Sequence, residues 1–158
     1  MENERKTDRS ADMGMDEHRL SDILLASQIK ATDIYETPPQ IIWIDNSTIA
    51  TLGNFSASTG KAKSKKTFNV SALVAASLAG KQVLNYRAHL PEGKQRILYV
   101  DTEQSRFHCR SVLERILRLA GLPTTTDPEN LDFFCLREYS PSVRVEVIDY
   151  ALRQNKGY

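Results

Sequence analysis

Two groups of residues in this chain are of the types that handle phosphate. The first is Gly60-Lys61-Ala62-Lys63-Ser64-Lys65-Lys66-Thr67. A glycine, four residues and then Gly-Lys-Ser/Thr is the spacing of a phosphate-binding loop. Its chemistry is plain. Backbone N–H groups turn toward phosphate oxygens at the start of a helix, whose dipole adds positive potential. A lysine reaches the terminal phosphates, and a hydroxyl ligates magnesium. In this register Gly60 opens the loop, Lys66 takes the lysine place and Thr67 the magnesium place. The expected nucleotide contacts are Gly60, Ala62, Lys63, Ser64, Lys65, Lys66, Thr67 and Phe68, with Mg2+ on Thr67. One letter departs from the pattern. Lys65 stands where a glycine is expected, and a side chain there resists torsions that glycine allows.

The second group is Asp101-Thr102-Glu103-Gln104-Ser105. It follows Arg96-Ile97-Leu98-Tyr99-Val100, the clearest strand signal in the chain, an apolar run suited to burial on both faces. Ligands of open parallel sheets sit beyond the carboxyl ends of strands. Glu103 is therefore the candidate catalytic residue, a carboxylate able to orient and polarise an attacking water. Gln104 is placed to sense phosphate. The structural alternative is that Asp101 and Glu103 cap the following helix. For the loop, the alternative is a solvated basic segment.

The elements that must position these groups are readable from periodicity. Phe55-Ser56-Ala57-Ser58 is expected as a strand of small residues feeding Gly60. From Lys66 a helix begins, with Phe68, Val70, Leu73, Val74, Ser77 and Leu78 largely on one face, stopped by Gly80. Cys109, Val112, Leu113, Ile116, Leu117 and Ala120 recur at helical spacing from about Ser105, and Gly121 and Pro123 end that helix. Gln40–Ile44, Thr48–Leu52 and Leu131–Leu136 have strand composition, with Val83–Tyr86 a short strand or irregular, and Ser140-Pro141 starts a last helix to about Gln154. Strands alternating with helices predict an α/β fold, a parallel sheet flanked by helices.

Upstream, residues 1–17 are polar, lack apolar periodicity and are expected to be a disordered tail. Residues 18–37 are expected as a peripheral amphipathic helix and linker, and 38–158 as the main domain. With 158 residues and a formal net charge of +1, bulk electrostatics do not call for nucleic acid. Cys109 and Cys135 match no metal-ligand spacing and read as reduced thiols. There is no long apolar run and no secretory signal pattern, so the expectation is a soluble cytoplasmic protein without membrane partners.

The loop, its helix, the Tyr99-x-Asp101-x-Glu103 strand end and the helix ending Leu119-Ala120-Gly121 resemble the RecA-like P-loop ATPases. Within these they are most similar to the RepA-like hexameric helicases and ATPases of plasmids and mobile elements. The resemblance covers roughly Pro38 to Tyr158. It implies ATP hydrolysis coupled to movement on DNA, usually in a homo-oligomeric ring, with Lys66 and Thr67 on nucleotide and magnesium and Glu103 on the water. The family places a second acidic strand shortly after the helix that here ends near Gln154. Residues 38–158 are thus expected as the front part of a RecA-like core, with weak hydrolysis, uncovered apolar surface and DNA contact only through a longer protein. Two other readings are a partition-type ATPase, with Lys61 as its signature lysine, and a non-catalytic nucleic-acid-binding or regulatory module using the lysines of the loop.

Overall fold

The computed structural model describes residues 17–61 and 64–158. The expected disordered tail lies outside them except for Glu17, as do Ala62 and Lys63 of the loop. The chain divides into two units at Thr37/Pro38. Among the described residues of the first there is one helix, α1 (Glu17–Ser27), none of whose residues is buried.

The second unit is mixed α/β, with two separate sheets. Strands β1 (Gln40–Ile44) and β2 (Ser47–Thr51) form an antiparallel hairpin. The chain reverses through Asp45, which takes a left-handed φ of 50°, a conformation aspartate tolerates better than most residues. Strand β3 (Tyr86–Ala88) pairs antiparallel with the other edge of β1, giving the order β2-β1-β3. Strands β4 (Ile97–Asp101) and β5 (Leu131–Cys135) form a two-stranded parallel sheet, with Asp101 opposite Cys135 at its carboxyl end. A crossover helix between them is what parallel strands require, and α3 (Arg106–Ala120) supplies it. The remaining helices are α2 (Lys66–Ala79) and α4 (Pro141–Gln154).

The expectation of a parallel sheet thus holds for β4–β5, while β1–β3 are antiparallel. A second expectation is corrected. Phe55–Ser58 forms no strand. The stretch is serine- and alanine-rich, has little β propensity, and Phe55 is 95% exposed. With no apolar face to bury, it gains nothing by joining a sheet, so the approach to Gly60 is an open loop.

One core joins both sheets. Ala72, Ala75 and Ala76 of α2 are fully buried, and small side chains let α3 approach closely with Val112, Ile116, Leu117 and Ala120. Ile42, Ile44, Ile49, Tyr86 and Ala88 belong to the same core from the antiparallel sheet, and Ile97, Tyr99, Leu131 and Phe133 from the parallel one. Tyr99 stacks on Phe133 with centroids 4.3 Å apart. Ile116 and Leu117 are essentially inaccessible, each gaining about 2 kcal/mol from burial. This packing fixes the start of α2 and the end of β4 relative to each other.

Candidate functional site

The loop is held by its own lysine. Lys66 Nζ donates to the Gly60 carbonyl oxygen at 2.8 Å, to that of Lys61 at 3.2 Å and to Ser64 Oγ at 3.5 Å. The Ser64 N–H donates to the Lys61 carbonyl at 3.2 Å. One ammonium therefore closes the loop into an arch at the head of α2. A Cβ at Gly60 would lie 2.6 Å from Ser64 Oγ and 3.3 Å from Ser64 Cβ, so a side chain there would make the Ser64 side chain shift and disturb its long bond to Lys66.

Lys65 is the N-cap of α2 and sits in the left-handed region, φ 60° and ψ 25°, with no side-chain cap bond. That is the conformation anticipated for the missing glycine, and a residue bearing a Cβ adopts it at a cost of about 1 kcal/mol. The Phe68 and Asn69 N–H groups bond to the Lys65 carbonyl at 3.0 and 3.1 Å. The Lys66 and Thr67 N–H groups precede the first helical hydrogen bond, where helix geometry supplies no acceptor. No acidic residue stands in the first turn of α2, so nothing there offsets its positive end. Thr67 is exposed, and its hydroxyl has no partner among the described residues.

The opposite wall is tied together by its own hydrogen bonds. Asp101 is 8% exposed. Its Oδ1 accepts the N–H groups of Glu103 at 2.9 Å and Gln104 at 2.8 Å, and its Oδ2 accepts Gln104 Nε2 at 2.8 Å. The Asp101 carbonyl accepts the Leu136 N–H at 2.8 Å. For Asp101 the structural role is the observed one. Its carboxylate organises the turn before α3, whose N-cap is Ser105. The same bonds occupy the Gln104 amide, so the expected phosphate sensor is tied to Asp101. Glu103 is exposed and has no ion-pair partner among the described residues.

The two walls meet. Lys66, Thr67 and Val70 from α2 line one cleft of about 260 Å³ with Tyr99, Val100, Asp101, Thr102, Glu103 and Gln104. Lys66, Thr67 and Glu103 are thus brought together as expected, while Gly60 and Ser64 reach the cleft only through Lys66. Tyr99 and Val70 were not foreseen as lining residues. Their apolar patterns signal core packing, and nothing in sequence marks the ends of elements where core and cleft meet. A larger depression of about 370 Å³ lies against α3 and β5. It contains no loop residue and no carboxylate, so the smaller cleft is the better place for phosphate chemistry.

A divalent cation would find few protein ligands. No group of three or more His, Cys, Asp or Glu side chains is arranged for a metal among the described residues. The Thr67 hydroxyl fits magnesium in the usual way, as one protein oxygen beside phosphate oxygens and water. Among the described residues no helix is long and apolar enough to cross a membrane. Comparisons with protein-family models, characterised proteins and solved structures find no match.

Proposed function

We propose that this chain binds ATP with magnesium through the loop at the head of α2, as a RecA-like ATPase component of a DNA replication or mobilisation system. The carrying observation is that Lys66 and Thr67 share one cleft with Glu103 at the carboxyl end of β4. Lys66 exchanges its bonds to the loop carbonyls for phosphate oxygens, and the N–H groups at the helix start, for which the helix supplies no acceptor, take others. Thr67 Oγ1 is the protein ligand for magnesium, which when bound neutralises charge on the phosphates. Glu103 holds a water opposite the phosphate and accepts its proton. The cleft is smaller than the ~300–1,000 Å³ of pockets that enclose a whole ligand. It suits the phosphate end of the nucleotide and leaves base and ribose outside.

Binding is expected to exceed turnover. Asp101 is committed to its own turn, which leaves Glu103 as the one carboxylate lining the cleft and able to work on water. Calorimetric titration with ATP, with and without Mg2+, tests the reading. Saturable, magnesium-dependent binding that Glu103→Gln retains supports it. Heat that does not saturate, or binding indifferent to Lys66→Ala, refutes it.

A further inference from the structure

Beneath the Asp101–Gln104 turn lies a second chemistry that the nucleotide reading does not use. Cys135 ends β5 opposite Asp101, and Cys109 lies in the first turn of α3. Both thiols are free. Both point at the same atom. The Gln104 carbonyl oxygen is 3.4 Å from Cys135 Sγ and 3.8 Å from Cys109 Sγ, and these sulfurs are its donors among the described residues. Two thiols that share one acceptor are neighbours, and Cys135 contributes to the environment of Cys109. Cys109 is 4% exposed. Cys135 is half-buried, and both line the depression of about 370 Å³ between α3 and β5, which opens to solvent.

We propose that Cys109 and Cys135 form a reversible disulfide that controls the turn carrying Glu103. A peroxide is the oxidant. Cys135, the more accessible sulfur, attacks one peroxide oxygen as a thiolate. The O–O bond breaks, water leaves and a sulfenic acid remains. Cys109 then attacks the Cys135 sulfur, the S–O bond breaks and a second water leaves. Two S–H groups become one S–S bond, and their two electrons and two protons pass to the peroxide.

The consequence follows from hydrogen-bond accounting. Oxidation removes both S–H donors from the Gln104 carbonyl, which must then find another partner. Gln104 is tied to Asp101 by backbone and side chain, so a shift at Gln104 moves Glu103 relative to Lys66. Burial, then the neighbouring Cys135 thiol, pushes the Cys109 thiol up to about 12, which agrees with the more accessible Cys135 reacting first.

The effect on affinity rests on the nucleotide reading, whereas the bond and its effect on the turn do not. The test treats the full chain with hydrogen peroxide after removal of reductant. Intact mass, a non-reducing gel and amide exchange at Glu103 and Gln104 are followed, together with MgATP affinity. The expected result is a monomer lighter by two hydrogens, faster exchange at the turn and affinity lowered about tenfold, all reversed by dithiothreitol and absent in Cys135→Ser. Disulfide formation with altered turn exchange but no ATP binding in the reduced protein would keep the switch and remove the nucleotide reading. Disulfides only between chains, no loss of hydrogens, or a bond that leaves turn exchange unchanged would overturn the proposal.

Discussion

The two ends of the β4–β5 sheet carry the same residue types to different ends. At its amino end Arg96 and Asp132 face each other through paired bonds, Nε to Oδ2 at 2.6 Å and Nη2 to Oδ1 at 3.0 Å. Arg96 Nη1 also donates to the Glu129 carbonyl at 2.7 Å, and the Tyr158 hydroxyl donates to Asp132. Every charge there is spent on another part of the chain. Arg96 holds the Asp132 carboxyl below its usual value, with Tyr158 assisting against a smaller opposing effect of burial. At the carboxyl end, Asp101 is spent in the same way on its own turn, but Lys66 and Glu103 are not paired with each other. They face one cleft. Among the described residues Lys66 is satisfied by neutral oxygens and Glu103 has no cation, so a ligand can engage both without first breaking an ion pair. The contrast separates a clamp from a site.

The contrast can be broken by substitution. The largest expected effect is Asp101→Ala, which leaves the Glu103 and Gln104 N–H groups without their acceptor. About 3 kcal/mol of stability should be lost, seen as a fall in Tm of about 10 °C, together with loss of nucleotide affinity. Lys66→Ala should be next. It removes the ammonium proposed to meet the phosphates, and should lower MgATP affinity about thirtyfold, or about 2 kcal/mol. Its Tm should change little, because the bonds it breaks are on an exposed loop. An Lys66→Ala protein that unfolds would show that the arch is structural.

Asp132→Asn should do the reverse, affecting stability and leaving nucleotide binding alone. The sign follows from the lowered carboxyl. A group with a folded pKa below its ordinary value of 3.8 stabilises the fold above that pH. That contribution disappears as pH falls through the lowered value. Acid unfolding of Asp132→Asn should therefore begin from a lower plateau and fall less steeply below about pH 4 than the unsubstituted protein, with a smaller loss at neutral pH than Asp101→Ala. The smallest effect is a gain. Lys65→Gly relieves the left-handed strain at the head of α2 and should raise stability by about 1 kcal/mol, with Tm up about 3 °C, and tighten ATP binding. Weaker ATP binding by Lys65→Gly would mean that the Lys65 charge contributes more than its strain costs.

The legible parts of this molecule were those set by local pattern. The stripe from Cys109 to Ala120 has helical spacing, Gly121 stops it, and α3 ends at Ala120 with Gly121 at φ 78°. Motif spacing marks Lys65 as out of place, and its left-handed φ of 60° is the physical form of that mismatch. Arrangements decided by distant partners were not legible. Nothing in Phe55–Ser58 says whether a neighbouring strand is available, and the antiparallel pairing of β3 with β1 joins segments on opposite sides of α2. Asp101 shows the same limit within the site. Its residue type suits catalysis or capping equally, and only its three short bonds decide between them. The two cysteines match no motif spacing because parallel register and a helix turn bring them together.

The most direct test of the open end as a nucleotide site is hydrogen–deuterium exchange of the full chain with and without MgATP. Protection should appear in 64–68 and 101–105, the two walls of the cleft. Exchange in 96–98 and 130–133, at the clamp, should not change. Protection at the clamp instead, or none at either end under saturating MgATP, would contradict the account.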